Sequence, residues 1–490
     1  MSLKISVKIN ILMNTILTVT NFIFPLITYP YVSKILQPSG MGKVAFAQSI
    51  ITYFSWLAML GISTYGVRQC AKVRDNKDKL SKTVQELFII NCISTLIAYI
   101  LLYISILLVP RFQQDSVLFI VLSASLCLNT LGMEWVYQAM ERYTYITIRS
   151  IIFRFISIFL IFLLIKDPGD YVIYGGLTIF TASASYLCNF INLRKHLNFR
   201  IKEKREFVIH LKPIFTLFAA SAIISIYASF DIVMLGFMKT DSEVGLYNAA
   251  LKIKSIVLAL STAVTVVLVP RMVRYYQEND FGNFISLAQK SLRISLLVAV
   301  PLATYIFVFT KDVLVFISSE EFLPAIPTLR ILMLCIYALI LTNLFGSQML
   351  IPMGKEKNFT QSVFIGMFIN LVLNLALIPR YGATGSAVGT LVTEMFNVFW
   401  MSKAISGESK KVLLGINFVP YITGIAVSLS AAYGISLSVA SLPLFIRLAT
   451  TSIVFFSVYY IILLGLKEPL ISQQSVAVFR KISNILKKKS

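Results

Sequence analysis

Fourteen apolar stretches fill almost the whole of this 490-residue chain, and Lys and Arg fall overwhelmingly into every second gap between them. The stretches lie at 9–33, 44–67, 87–109, 117–140, 145–165, 171–193, 213–238, 246–270, 291–310, 325–352, 358–379, 381–402, 413–437 and 443–466. Each can cross about 30 Å of hydrocarbon at about 1.5 Å per residue. Charged side chains are 13% of residues and hydrophobic ones 57%, which excludes a soluble domain of this length. The gaps assigned to the cytoplasm hold 31 Lys and Arg (2 in the N-terminus, then 6, 1, 7, 4, 2, 3 and 6), while the external gaps hold eight: Lys34, Lys43, Arg111, Lys166, Lys239, Lys311, Arg380 and Arg447. The remaining five of the 44 lie inside spans. This split predicts both termini in the cytoplasm.

A formal net charge of +22 would point to nucleic acid in a soluble protein. Here it is the orientation signal, with basic loops facing anionic lipid, so no nucleic-acid partner is expected. The first apolar stretch is too long for a cleavable signal peptide and lacks a small-residue cleavage site, so it reads as a retained anchor. In the tail 472–489, Val476, Phe479, Ile482 and Leu486 recur at helical spacing among Arg480, Lys481 and Lys487 to Lys489, the pattern of a helix lying on the inner leaflet.

Enzymatic signatures are lacking. Cys70, Cys92, Cys127, Cys188 and Cys335 are scattered singly, so neither a disulfide framework nor a metal site is expected. His196 and His210, the two histidines, read as solvated residues of a basic loop. Gly40-Met41-Gly42-Lys43-Val44-Ala45 fits a dinucleotide-type glycine pattern but sits in a turn between spans, and Gly354-Lys355 lacks the upstream glycine of a phosphate-binding loop. The sequon at Asn358 faces the cytoplasm by the charge rule. The longest external loop, at about 311–324, is short for a membrane glycosyltransferase or polymerase. A chain that is nearly all spans points instead to a carrier or a flippase, with no cofactor beyond H+ or Na+ as coupling ion.

Carriers are often built from internal repeats, and a weak one is visible. Gly42 to Ala47 at the start of span two aligns with Gly245 to Ala250 at the start of span eight, sharing Gly-x-x-x-x-Ala at an offset of 203 residues, or six spans. The expected organisation is a six-helix lobe at 1–193, a basic linker at 194–212, a second six-helix lobe at 213–402, two further helices at 413–466, and a basic amphipathic tail at 467–490. The fold class is an all-α polytopic membrane protein of about 14 transmembrane helices.

The run Thr28-Tyr29-Pro30-Tyr31-Val32-Ser33-Lys34-Ile35-Leu36-Gln37-Pro38-Ser39-Gly40-Met41-Gly42-Lys43-Val44-Ala45-Phe46-Ala47-Gln48-Ser49-Ile50 resembles the first hairpin of Wzx-type O-antigen and capsule repeat-unit flippases. Ile378-Pro379-Arg380-Tyr381-Gly382-Ala383-Thr384-Gly385-Ser386-Ala387 resembles the same family where it runs into span twelve. The resemblance implies the multidrug/oligosaccharidyl-lipid/polysaccharide fold, with two lobes around a cavity that opens to alternate sides of a bacterial cytoplasmic membrane. The implied substrate is an oligosaccharide on undecaprenyl pyrophosphate, moved from the inner to the outer leaflet. A polysaccharide polymerase and a chain-length regulator are the expected partner proteins.

A pyrophosphate in a low-dielectric cavity needs cationic partners, and a charge facing lipid costs at least about 2.5–3.5 kcal/mol. The buried-span cations are therefore the candidate site. Arg154 lies about 14 Å into span five. Lys252 and Lys254 lie near one another in span eight but roughly 200° apart around the helix, so one of them, taken as Lys252, faces the lumen. Arg149 and Arg330 are further candidates. Each has an alternative role: Lys252 neutralising Asp231, Arg149 pairing with Glu134, and Arg330 snorkelling. Glu394, deep in span twelve, and Asp231 are candidates for proton or sodium coupling, with a structural ion pair as the other reading. Pro25 and Pro30 remove helix hydrogen bonds in span one and make it either a hinge or a static kink. The rival functions are a cation-coupled drug extruder, which would favour acidic cavity residues, and a membrane glycosyltransferase or polymerase.

Overall fold

The computed structural model describes residues 7–195, 197–198, 206–405 and 407–472, and its described residues form helices and turns with no strand. His196 and the amphipathic tail beyond 472 lie outside them. Eleven helices are long and apolar enough to cross a membrane. Two of these, Leu12–Val73 with 62 residues and Glu356–Ile405 with 50, would be about 93 and 75 Å long if straight, far more than one crossing needs. Each contains two of the stretches predicted from hydropathy. A further helix, Val208–Met238, carries the seventh stretch.

The chain forms two compact units, Met1–Asn248 with Ile317–Glu321, and Ala249–Phe316 with Phe322–Ser490. In the first unit, α1 (Val7–Met59) is followed by α2 (Ile62–Val73), α3 (Lys77–Leu108), α4 (Pro110–Gln113), α5 (Ser116–Gly132), α6 (Glu134–Ala139) and α7 (Tyr143–Leu164). Then come α8 (Tyr171–Ile179), a π-helical turn Phe180–Ala184, α9 (Tyr186–Leu193) and α10 (Val208–Met238). The helix α11 (Asp241–Gln277) runs from the first unit into the second.

Contacts along α1 show how its two halves run. From Met13 to Tyr31 it lies parallel to α7: Thr147 bonds Met13 O at 3.0 Å, the rings of Phe24 and Phe155 lie 5.2 Å apart, and Tyr31 OH donates to Ile165 O at 2.9 Å. Beyond Gln37, whose φ of 58° and ψ of 177° break the helix, the chain runs antiparallel to α3. Lys43 there pairs with Asp115 beyond the end of α3 at 3.0 Å, and Ala58 O accepts from Asn91 Nδ2 at 2.8 Å. The turn thus falls at Gln37, next to Pro38. Helical φ/ψ persist through Pro25 and Pro30, so the backbone break in α1 lies at Gln37 and not at either proline.

Polar contacts segregate to opposite ends of the unit. At one end Asp115 meets Lys43 and Tyr171, Arg111 pairs with Asp241, and Lys166 reaches Tyr31. All these residues lie in or beside the turns assigned to the outside. At the other end Arg74 pairs with Glu141, Gln85 bonds Asn198 O, and Glu86 meets His210. That set joins the turns assigned to the cytoplasm.

Two glycines make the close approach at the first end possible. A β-carbon on Gly42 would lie 1.7 Å from Asp241 O, and one on Gly245 would lie 1.9 Å from Pro38 O. Pro38 and Gly42, shifted by the repeat offset of 203, become Asp241 and Gly245. The two contacts are therefore related by a pseudo-two-fold exchange, as in an isologous interface.

The second unit comprises most of α11, then α12 (Phe281–Val308), α13 (Thr310–Ile317), α14 (Ile326–Asn343), a π-helical stretch Leu344–Leu350, α15 (Glu356–Ile405), α16 (Gly407–Leu414), α17 (Val419–Ser438) and α18 (Leu444–Gly465). Asp280 caps α12 by accepting from the Asn283 backbone at 3.1 Å, and the Asn283 side-chain amide together with that N–H holds its carboxyl below the usual range. α15 is a hairpin. Ser362 bonds Asn397 at 3.0 Å, residues that a straight helix would hold about 52 Å apart, and the chain reverses at Gly382, whose φ is 53°. Here too the predicted external turns meet one another, as in Arg447 with Asp312 and Thr328 with Thr384, and so do the cytoplasmic ones, as in Arg293 with Glu468 and Lys355 with Ala404 O.

The alternation of ends follows the charge pattern, which leads us to expect fourteen crossings with both termini inside. Reporter fusions at residues 75, 200 and 408 should all give cytoplasmic signals, and an external signal at any of them would contradict that topology.

Candidate functional site

The candidate residues separate into groups with different surroundings. Arg149, on the first turns of α7, is buried among partners: Asn189 Oδ1 accepts from it, Glu134 Oε2 lies 3.4 Å away, and the Tyr186 ring centroid is 5.3 Å from the guanidinium carbon. Asn189 is itself buried and donates to Gly132 O at 2.8 Å, tying the end of α5 into the same cluster. Glu134 also takes a 3.4 Å bond from Gln138. Arg149 and Glu134 thus form the ion pair that their positions across the turn at 140–145 allowed, and a single carboxylate neutralises this guanidinium.

Arg154 sits about five residues further along α7, and its surroundings differ. Its guanidinium donates to Thr20 Oγ1, Asn21 Oδ1 and Leu17 O of the first helix, and its carbon lies 5.9 Å from the Phe24 ring centroid. All of these partners are neutral, and among the described residues no carboxylate pairs with Arg154. The charge is oriented by hydrogen bonds and a ring face. Thr20 and Asn21, one helical turn before Pro25, supply the acceptors that hold it.

On α11, Ile253, Val257 and Ser261 are buried and Lys252 and Ser255 are exposed, so Lys252 projects from the side opposite the packed stripe. Ser255 Oγ is taken up by the Lys252 carbonyl at 2.7 Å, while the ammonium has no polar partner among the described residues. Lys254 is half-buried. Arg330 is exposed, with its guanidinium carbon 5.9 Å from the Phe307 ring centroid, within cation–π range.

The acidic candidates are both hydrogen-bonded. Asp231 accepts from Tyr247 OH at 2.7 Å. Glu394 is buried on the second arm of the α15 hairpin and accepts from Thr342 Oγ1 at 3.1 Å. Glu394 sits in a polar seam that hydropathy did not reveal: Asn370, Asn374, Asn397, Ser362 and Gln348 are all buried here, with Asn374 donating to Asn370 at 3.0 Å and Ser362 to Asn397. Four amides and a carboxyl within apolar helices are costly unless they serve each other or a cargo. The asparagines of 358–402, spaced 370, 374 and 397, were the sequence signal for this seam.

His210 is a correction to the sequence reading. It is buried, with Nε2 3.0 Å from Glu86 Oε2 and Nδ1 2.9 Å from Tyr65 OH. An ionised carboxylate only accepts, so Nε2 carries a proton and donates to it. Glu86 Oε1 also accepts from the Glu206 backbone at 2.8 Å. The histidine is structural because α10 begins at Val208, so that His210 lies on its first turn. Apolar periodicity alone had placed this residue in a loop.

Fold and site together describe a polytopic helical membrane protein in which the Arg154 guanidinium is held inside a span by neutral acceptors and a ring face. The chain belongs to the polysaccharide biosynthesis protein family, whose model matches residues 7–276, and the MatE model matches 217–376. This membership spans 28–50 and bears out the resemblance of the chain to the Wzx-type branch of the multidrug/oligosaccharidyl-lipid/polysaccharide superfamily, while 378–387 lies beyond both matched ranges. A relative from Escherichia coli (strain K12) named "Putative O-antigen transporter" is 25% identical over 397 residues, covering 80% of this chain and 94% of its own. The fold matches that of the lipid II flippase MurJ in an inward closed conformation, with a TM-score of 0.70 and 16% identity over 93% of this chain and 99% of that one. It also matches an inward-facing multidrug resistance MATE family transporter at a TM-score of 0.61, with 16% identity over 79% of this chain and 95% of that one.

Proposed function

We propose that this protein is a flippase that carries undecaprenyl-pyrophosphate-linked oligosaccharide repeat units from the cytoplasmic to the outer leaflet of a bacterial cytoplasmic membrane by alternating access. Family membership and the names of the relative and of the MurJ neighbour support transport rather than catalysis. The observation that carries the choice of cargo is the pair of intramembrane cations, Arg154 and Lys252, that no described carboxylate neutralises. A drug extruder that selects cations would place carboxylates in such positions. Within the proposal the two lobes are 1–193 and 213–402, with 413–466 as an appendix. Glu394, already buried beside a hydroxyl donor, is the coupling group for H+ or Na+. A polysaccharide polymerase and a chain-length regulator receive the product.

Arg154 gives a local test. Arg154→Gln keeps the hydrogen bonds to Thr20 and Asn21 within reach but removes the charge, and is expected to lower polysaccharide export about tenfold, the cost of one charge-assisted contact. Export is read by surface display in a strain lacking this gene, at matched protein levels. Normal export from that variant would remove Arg154 from the site.

A further inference from the structure

A second cationic feature lies at the cytoplasmic end of the first unit, away from the intramembrane candidates. Tyr65, Arg68, Gln69 and Lys72 occupy one face of α2 at the i, i+3, i+4, i+7 spacing, and Lys212 and Thr216 occupy a face of α10. These two faces line a cavity of about 650 Å³. That volume falls within the range of small-molecule sites, about 300–1,000 Å³. Three of the lining residues are cations, none is acidic, and among the described residues no carboxylate pairs with Arg68, Lys72 or Lys212. Like charges gathered around one cavity repel one another unless an anion is present.

The walls are fixed. α2 approaches α10 at Gly61, whose φ is 76° and where a β-carbon would lie 2.9 Å from Phe218 N. The opposite face of α2 is packed at Gly66 against the Trp135 ring, at 2.5 Å from such a β-carbon. Tyr65, which lines the cavity, is held from behind by the buried His210, itself held by Glu86. The depth is also informative. Hydropathy ends span two at 67 and begins span seven at 213, so the three cations lie in the headgroup layer of the inner leaflet, where a lipid-borne phosphate sits.

We infer that this cleft is a docking site for the diphosphate of a polyprenyl-linked substrate on the cytoplasmic side, where the cargo is held before it moves into the spans. The inference rests on the flippase reading. Three cations match the charge of a diphosphate better than the single charge of a phospholipid, and the planar guanidinium of Arg68 can take two phosphate oxygens at once.

The test uses the full chain in nanodiscs, with undecaprenyl pyrophosphate as ligand and inorganic pyrophosphate or phosphatidylglycerol as competitor. Neutralising Arg68→Gln, Lys72→Gln and Lys212→Gln together is expected to weaken undecaprenyl pyrophosphate binding by about 1,000-fold, as loss of three charge-assisted contacts at about tenfold each would. Lys72→Arg should retain binding, and the single Arg68→Gln variant should lose about tenfold, which keeps the test open if the triple variant folds poorly. Inorganic pyrophosphate should compete and phosphatidylglycerol should not. Binding unchanged in the triple variant would overturn the site. Equal competition by phosphatidylglycerol would reduce it to a general anionic-lipid surface, and charge-dependent binding of inorganic pyrophosphate by a protein that fails to bind undecaprenyl pyrophosphate would assign it to a soluble diphosphate; either result overturns the inference. Flipping measured on the same variants separates the two claims. Charge-dependent binding without flipping sinks the flippase reading and leaves the site, whereas flipping with charge-independent binding does the reverse.

Discussion

Replacing Lys252 by Ala is expected to abolish surface-polysaccharide export at normal protein levels, while Lys252→Arg keeps part of it. The ammonium stands on the unpacked side of α11 without a polar partner among the described residues, so its removal should cost little stability. A charge-assisted contact to a pyrophosphate is worth about 1.5–3 kcal/mol, and leaving one diphosphate charge unpaired in the low-dielectric interior costs more, so transport should fall by about 100-fold, to background in a display assay. An arginine restores the charge with a different shape and should recover only a fraction. Asp231 has its own donor in Tyr247, so adding Asp231→Asn to Lys252→Ala is expected to leave the defect in place. Complementation of a strain lacking this gene measures both variants. Full export from Lys252→Ala would remove the residue from the site, and recovery in the double variant would make it a charge balance.

The second large effect is steric. Gly42→Leu and Gly245→Leu should each strip the membrane of folded protein, or leave protein that exports at less than about a tenth of the normal level, because the new side chain meets backbone rather than a movable side chain. A β-carbon at either position would fall under 2 Å from a carbonyl oxygen of the repeat-related turn, Asp241 or Pro38. Overpacking costs about 1–3 kcal/mol even where neighbours can shift, and here the helix ends would have to part. The measurement is the amount of membrane-inserted protein and its thermal unfolding, alongside export. Gly169→Leu is the control, since nothing lies within 4 Å of a β-carbon there, and it should be neutral. Normal levels and export from Gly245→Leu would show that the close contact is not required.

These two glycines also show what the sequence made legible. Gly42 and Gly245 were matched only as a Gly-x-x-x-x-Ala echo at an offset of 203, yet they meet in space through reciprocal contacts. The alternation of apolar runs and basic gaps likewise located the ends at which Arg74 meets Glu141 and Lys43 meets Asp115. Hydropathy marks where the bilayer stops, however, and not where a helix stops. The gap at 68–86 is mostly helix: α2 continues to Val73, and α3 starts at Lys77 once the Asn76 side chain has capped Asp78 and Lys79. For the same reason His210 appeared to be a loop residue, and the basic stripe of α2 appeared to be an orientation signal only. The residue at which α1 reverses was not legible: it is Gln37, while Pro25 and Pro30 sit within helical backbone. The polar seam around Glu394 was only partly legible: Asn370, Asn374 and Asn397 stand out in apolar runs, but they carry no periodicity, and it takes the α15 hairpin to bring 362 and 397 together.

The central claim is that this protein moves a diphosphate-linked oligosaccharide across a bilayer. The most direct measurement places the purified full chain in liposomes with undecaprenyl-pyrophosphate-linked repeat units in both leaflets and follows their accessibility to a membrane-impermeant glycosidase. The account predicts that the protected fraction becomes accessible with the wild-type protein and stays protected with Lys252→Ala. A protected fraction that wild-type protein leaves unchanged, under an imposed proton or sodium gradient of either direction, would contradict it.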